Sequence, residues 1–579
     1  MSPTDATADG LVPPSRAEQT RKADNVDSRG RLLAADGTPL KASLARALRR
    51  EKLRAFMLVA PLLFFILISF VAPIADMLLR SIDNAIVPNT VPRTVAALQA
   101  DWDPTSPEAP PESVYRALYF DLFIATEAKE HTRLGSRLNY EEAGMSSLFR
   151  STGRNTDDIG DIWKDPLEDI SKDWDEAAYW YNLMAPQGGE AADTALAETA
   201  RLRLTTMTDN PIEGESDFAP AARISDLLPT TAVAYTDFAL FTGLYDGKDI
   251  QDEEPWEAVH AALAIDLQTP GVGEAVARYD GPGAALLKET AGVELPPADL
   301  KAAFLEVEED WSALPPWQTI AQYAGEYTPG YFLSAVDMQV GPEGIEPKPE
   351  FEQIYLLLFW RTLLLSITIT FSCLLLGYPI AWLLANLPMR VSNLLLILVL
   401  LPFWTSLLVR TSSWIVLLQQ EGVINDVLVS IGIVSDDNRL QMMFNEIGTV
   451  VAMTHILLPF MILPLYSVMK TIPPSYLRAA KSLGATDFTA FWRVYFPLSV
   501  PGIGAGAILV FILAIGYYIT PELVGGTSGI FISNRIAYHI SSSLNWGLGA
   551  ALGVILLGAV LILYWVYDRI VGIDNVKLG

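Results

Sequence analysis

The sequence predicts an all-α membrane protein with six transmembrane helices and a large, mostly helical insertion between the first and second spans. Three observations predict it. The 579-residue chain has a positive mean hydropathy although its formal net charge is −27. The charge is segregated: residues 81–350 hold 49 Asp/Glu against 17 Lys/Arg, and the remainder holds 18 against 23. Outside the acidic block, six runs contain no Asp, Glu, Lys or Arg.

Those runs are Ala55–Ala75, Thr362–Met389, Val391–Val409, Ile447–Met469, Val494–Pro521 and Ile536–Tyr567, with 21, 28, 19, 23, 28 and 32 residues. A helix needs about 20 apolar residues to cross the hydrocarbon core, so each run suffices or nearly so, and the longest has room for interfacial turns. Orientation follows from the basic residues of the short segments. Residues 1–54, the loop at Arg390, the loop Lys470–Arg493 and the C-terminus carry 18 Lys/Arg, whereas the opposite short segments carry Arg80, Arg361, Arg410, Arg439 and Arg535. Both termini are therefore expected in the cytoplasm and residues 81–350 outside it. The expected organisation is a cytoplasmic tail at 1–54, a first transmembrane helix at 55–80, the acidic block at 81–350 and a five-helix core at 351–579. The first run lies behind 54 mostly polar residues and is read as an anchor, not a cleaved signal.

Within the acidic block, helical spacing of apolar residues predicts helices at Ser113–Glu130, Trp174–Leu183, Glu190–Leu204, Pro255–Leu267 and Pro297–Leu314. Asn210-Pro211, the glycines 271 and 273, and Gly281-Pro282-Gly283 supply breaks. Trp102, Trp163, Trp174, Trp180, Trp256, Trp311 and Trp317 are candidates for its core. The acidic surface is either a solvated face or an attraction for a cationic solute.

After the fourth run comes Thr471-Ile-Pro-Pro-Ser475-Tyr-Leu-Arg478-Ala479-Ala480-Lys-Ser-Leu-Gly484-Ala-Thr-Asp487, followed by Pro497. Ser475 is placed to cap a short helix, Gly484 to end it in the left-handed conformation, and Asp487 to cap a second helix entering the membrane. Two adjacent alanines let another protein's backbone approach closely.

Arg478-Ala479-Ala480, Gly484 and Val494-x-Phe496-Pro497 have the spacing of the cytoplasmic signature loop of ATP-binding-cassette importer permeases, and the chain resembles that family. The family has Glu where this chain has Arg478. Residues 355–566 resemble its spermidine/putrescine group more closely, through Pro402-Phe-Trp404-Thr-Ser-Leu-Leu-Val-Arg410-Thr-Ser-Ser-Trp414, Glu421-Gly-Val-Ile-Asn425, Leu458-Pro459, Pro464-Leu-Tyr466, Pro521-Glu522-Leu-Val-Gly525-Gly526 and Trp546-Gly547. Most members have a much shorter first external loop. The resemblance implies a bacterial inner-membrane permease that forms a translocation pathway for a polyamine or related small solute. It implies that Arg478, Ala479, Ala480, Gly484 and Pro497 belong to a helix coupling the chain to an ATPase. The implied partners are a second permease subunit, identical or different, two ATP-binding subunits and a periplasmic solute-binding protein.

Trp404, Arg410, Trp414, Tyr517, Glu522 and Trp546 are candidates for the solute pathway, the aromatic rings because their faces attract cations. Interfacial belts use the same aromatic residues, and Arg410 equally suits a snorkelling anchor. His131, His260, His455 and His539 show no ligand spacing, and the one cysteine, Cys373, excludes an intrachain disulfide or a cysteine zinc cluster. No Gly-x-x-x-x-Gly-Lys-Ser/Thr phosphate loop is present, since Gly243-Leu-Tyr-Asp-Gly247-Lys248-Asp249 has the wrong spacing. The chain is therefore expected to be no enzyme and to bind no cofactor, with ATP and Mg²⁺ on the partner. The net charge disfavours nucleic acid. The alternative class is a membrane-anchored receptor or channel with an acidic ectodomain, which has no use for the Ala-Ala-Gly loop.

Overall fold

The computed structural model describes residues 40–208, 218–341 and 344–571. The expected N-terminal tail up to residue 39, the Asn210-Pro211 break and residues 572–579 lie outside them. The chain divides into two compact units, Met1–Leu78 and Leu79–Gly579.

The described part of the first unit is helix. The helix runs from Leu40 through a π-helical turn at Leu67–Val71 and resumes at Ala72, and its last two residues, Leu79 and Arg80, belong to the second unit. The π turn has a local cause. Pro73 has no N–H, and its ring crowds the carbonyl four residues back, at Ser69, so the helix widens there instead of breaking. Leu58, Phe65 and Ile68 on this helix are exposed, the state of side chains whose solvent is lipid.

In the second unit, Tyr355–Asn386, Glu446–Thr471 and Asp487–Gly516 form the centre of the apolar core, and Trp546–Arg569 is a further apolar helix of spanning length. Ile369, Cys373, Met453, Leu457, Met461, Leu465, Val510 and Ala514 fill the space between the first three. Helices in lipid gain little from hydrophobic burial, so close approach through small residues decides their packing. Gly502 and Gly506, four apart on one face, supply it: a Cβ on Gly502 would lie 3.0 Å from Val468 Cβ, and one on Gly506 would lie 2.7 Å from Met461 Sδ. Pro497 repeats the arrangement at Pro73, because the π turn Phe491–Tyr495 contains the carbonyl four residues before it.

Two expected spans look different. The run Val391–Val409 does not form one straight helix. Met389–Leu400 ends in a 3₁₀ turn at Leu401–Trp404, and a second helix starts at Leu407, the two arms meeting at 95°. Pro402 is the cause, since a proline there cannot continue the hydrogen-bond ladder. Among the described residues there are thus five helices long and apolar enough to cross a membrane, or six if the bent pair counts as one span. The run Ile536–Tyr567 is divided between Ile532–Ser541 and Trp546–Val571.

Between Arg80 and Tyr355 the described chain is mainly short helices, with a two-stranded hairpin pairing Met338–Gly341 with Gly344–Pro347. The expected helices appear at Glu112–Glu127, Ala177–Met184, Thr194–Met207, Glu257–Gln268 and Leu300–Val307. Sequence spacing missed three consecutive helices, His131–Leu138, Met145–Arg154 and Thr156–Ile170. Apolar cores hold the block together, two of them rich in aromatic residues. One gathers Tyr115, Tyr119, Trp163, Phe304, Trp311 and Trp317, and the other Trp174, Trp180, Tyr235, Phe238 and Leu263. Trp256 packs against both, and Trp102 lies partly buried on the first.

A buried charge cluster ties four helices of the block. Arg93 pairs with Asp237 and lies 4.0 Å from Asp121, Arg203 reaches Asp237 at 2.8 Å, and the Thr94 N–H and hydroxyl donate to Asp121. Burial pushes the Asp121 carboxyl up to about 6, although Arg93, Thr94 and Arg203 favour its anion. The folded carboxyl then holds its proton over a range where the unfolded one has lost it, so stability falls as pH rises from about 4 to about 6. Asp121→Asn keeps an acceptor for Thr94 and should flatten this slope by roughly 2–3 kcal/mol in total, read by chemical denaturation followed through tryptophan fluorescence at pH 4.5 and 7. An unchanged pH dependence in the variant contradicts the assignment.

The block is joined to the apolar helices by specific contacts. Asp337, at φ 58°, accepts from the N–H groups of Ile354, Tyr355 and Leu356 and so caps the Tyr355–Asn386 helix. Tyr331 and Ala335 pack with Tyr355, Leu358, Ile532, Leu548, Ala551 and Leu552. Tyr140 donates to the Ser543 carbonyl.

Candidate coupling loop and pathway residues

The Glu446–Thr471 helix ends at Thr471, and Pro474–Ser482 forms a separate short helix. Its start differs from expectation. Ser475 is not its cap. Pro473 is extended and Pro474 occupies the first helical position, where a residue without an N–H leaves no donor unsatisfied. Its end is as the sequence suggests. Gly484 has φ 89°, its N–H donates to the Lys481 carbonyl at 3.0 Å, and the Ala485 N–H donates to the Ala480 carbonyl at 3.1 Å. This is the paired hydrogen-bond pattern that closes a helix through a left-handed residue. The next helix is capped by Thr486, whose hydroxyl accepts from the Thr489 N–H, and not by Asp487, its first residue. Asp487 instead pairs with Lys481 across the turn, where solvent exposure keeps such a pair weak.

The outer face of this loop exposes large apolar side chains. Leu483 is 89% exposed and Phe488 74%, with Tyr476 and Trp492 about half exposed. Ala479 and Arg478 are exposed and Ala480 is half-buried. Pro497 stands in the following helix, above the π turn described above.

The six pathway candidates are spread over several elements. Arg410 donates to the Thr405 carbonyl, and its Nε is buried without a hydrogen-bond partner. Trp414 Nε1 donates to His455 Nδ1 at 3.1 Å, with the rings edge to face at 5.4 Å. That bond leaves the imidazole proton on Nε2. Ser372, Leu376, Trp414, Thr454, His455 and Leu458 line a cavity of about 390 Å³. Sequence reasoning passed over His455. The available signal was a polar ring in the middle of an uncharged run, where polar groups are expensive.

The helix Ile519–Val524, which carries Glu522, meets the Leu407–Leu418 helix of Arg410 and Trp414 where Thr520 lies 3.4 Å from Thr411. Glu522 accepts from the Asn534 amide, which also donates to the Tyr518 carbonyl at 2.9 Å. The Tyr517 carbonyl accepts from the Ser533 hydroxyl at 2.7 Å. Trp404 is in the 3₁₀ turn of the bent pair and is 73% exposed. Trp546 begins the last long helix beneath the Arg80 guanidinium, 5.7 Å from the ring centre.

Comparison with known proteins bears on this geometry. Residues 377–572 match the family model of the binding-protein-dependent transport system inner membrane component. The spermidine/putrescine transport system permease protein PotB of Salmonella typhimurium (strain SL1344) is 36% identical over 222 residues, which is 38% of this chain and 77% of that protein. The inner membrane ABC transporter permease protein YdcU of Escherichia coli (strain K12) is 33% identical over 203 residues, 33% of this chain and 64% of that protein. A solved bacterial ABC transporter involved in the import of the acidic polysaccharide alginate aligns over 38% of this chain and 80% of its own, at 18% identity and a TM-score of 0.31. The acidic block lies outside the matched family region. The shared sequence, the apolar helices and the loop between two of them lead to one assignment: the chain belongs to the family of inner-membrane permease subunits of ATP-binding-cassette importers, within its spermidine/putrescine group.

Proposed function

We propose that the chain forms half of a translocation pathway for a polyamine or related small solute and is driven by a separate ATPase docking on residues 471–497. The observation that carries the coupling role is the Pro474–Ser482 helix, closed by Gly484 and flanked by Leu483 and Phe488 at 89% and 74% exposure. Such side chains in water between two spanning helices call for a protein partner. Arg478, Ala479 and Ala480 lie on that helix, and Pro497 directs the next helix away from it. The polyamine class is supported by the spermidine/putrescine transport of the 36% identical relative. Trp404, Arg410, Trp414, Tyr517, Glu522 and Trp546 remain the pathway candidates, with Trp414 held by His455 as the first to test.

The working assembly is two permeases, two ATP-binding subunits and a periplasmic protein that delivers the solute. ATP binding brings the ATPases together, and the loop transmits that motion to the spans. This chain supplies no ATP site. Both termini are cytoplasmic and residues 81–350 periplasmic.

Topology is tested by cysteine labelling, for which the chain is well suited because its one native cysteine, Cys373, is buried. Leu202→Cys, at a position 62% exposed in the acidic block, should react with a membrane-impermeant maleimide in intact spheroplasts. Ser482→Cys should react only after the membrane is opened. Labelling of both from the same side contradicts the arrangement and favours the receptor or channel reading.

A further inference from the structure

A cleft of about 610 Å³ lies between the helix His131–Leu138 and the turn that leads into the last long helix. It is lined by Arg133 and Arg137 from one face of that helix, together with Asp83, Tyr331, Asn545 and Trp546. Two arginines side by side run against the composition of a block with 49 acidic and 17 basic residues. Arg137 is 6% exposed. Its Nε donates to Asn84, its Nη1 to Glu141, and its guanidinium lies over the rings of Tyr331 and Tyr323 at 4.4 and 5.0 Å. Its Nη2 has no hydrogen-bond partner, and neither has Asn545 Nδ2, on a residue 4% exposed. Buried donors are normally satisfied, so two among the residues lining one cleft point to an acceptor.

The charges also limit what that acceptor can be. Glu130 and Glu141 already neutralise Arg133 and Arg137, and Asp83 adds a carboxylate that accepts from the Ala85 N–H. A multiply charged anion would gain little in such a cleft, whereas a phosphodiester carrying an amine matches the donors with its phosphate and Asp83 with its ammonium. The level is set by the chain: Arg80, also lining the cleft, ends one candidate span and Trp546 begins another, where aromatic and basic residues meet phospholipid headgroups. Leu544, 65% exposed, adds an apolar rim.

We propose that this cleft binds the headgroup of an aminophospholipid, phosphate on Arg133, Arg137 and Asn545 and ammonium on Asp83, and thereby fixes the acidic block to the membrane surface. The test is native mass spectrometry of the full-length protein, delipidated in detergent and titrated with phosphatidylethanolamine, phosphatidylglycerol or phosphatidylcholine. Soluble glycerophosphoethanolamine serves as a separate arm. Arg133→Gln changes an exposed side chain, and Asn545→Asp keeps the oxygen that caps Leu548 while removing the donor. The expected result is a phosphatidylethanolamine adduct on the parent that both variants lose at unchanged melting temperature, with Asp83→Asn shifting preference toward phosphatidylglycerol. Equal adducts on parent and variants, or equal binding of the three lipids, overturn the proposal. Saturable binding of glycerophosphoethanolamine at the concentrations where the lipid binds overturns the lipid as the source and assigns the cleft to a soluble ligand.

Discussion

Gly484→Val should reduce solute uptake by more than about tenfold while leaving membrane insertion intact, because a factor of ten needs only about 1.4 kcal/mol. The residue stands at φ 89°, and an added Cβ would meet nothing within 4 Å. Space is therefore no obstacle, and the cost is purely conformational, about 1–2 kcal/mol for an L-residue in the left-handed region and more for a β-branched one. The chain can escape that cost only by giving up the two hydrogen bonds from Gly484 and Ala485 that close the helix. Ala479 and Ala480 would then tilt away from any groove that receives them. Gly484→Asn is the control, since asparagine tolerates this conformation, and it should keep most of the activity. The measurement is uptake into membrane vesicles alongside copurification of the ATPase. If valine and asparagine behave alike, the turn does not matter.

Gly506→Leu should prevent the apolar core from assembling. A Cβ there would lie 3.1 Å from the Met461 carbonyl and 3.5 Å from its Cα, as well as close to the sulfur. The thioether end can swing aside, but the Met461 backbone cannot, so the helices must separate. Overpacking of this kind costs about 1–3 kcal/mol, and here it falls on the central helix pair of the core. The expected result is loss of monodisperse protein in detergent, with Gly506→Ala intermediate. A variant that melts at the parental temperature would mean that Glu446–Thr471 and Phe496–Gly516 do not pack as described.

The apolar helices were legible because charge is costly in lipid, so its absence marks them directly. What composition could not reveal was where such a run breaks. Pro402 divides Val391–Val409 without adding a charge, and the turn at 542–545 likewise divides Ile536–Tyr567. In the acidic block, tryptophans announced the cores, but the helices between residues 131 and 170 hid their packing faces. Those faces use glycines: a Cβ on Gly135 would lie 2.8 Å from Phe149 Cβ, and one on Gly153 2.6 Å from the His131 ring. Small residues at close contacts leave no trace in hydrophobic periodicity. In the loop, Gly484 was readable because only a left-handed turn explains it there, whereas the caps were misassigned. Pro474 starts the first helix without a polar cap, and Thr486 competes with its neighbour Asp487 for the second. The Trp414–His455 bond joins residues 41 positions apart, which no local pattern records.

The coupling role is tested most directly by cross-linking from the loop in an assembled transporter. Ala480→Cys, with Cys373 replaced by serine, should cross-link to a cysteine-bearing copurified ATPase, in a yield that changes between the nucleotide-free and ATP-bound states. The introduced thiol should also be shielded from aqueous maleimide when the ATPase is present. If that thiol stays fully reactive in a complex that contains the ATPase, or no ATPase copurifies with a well-inserted chain, the loop is not where this protein is driven.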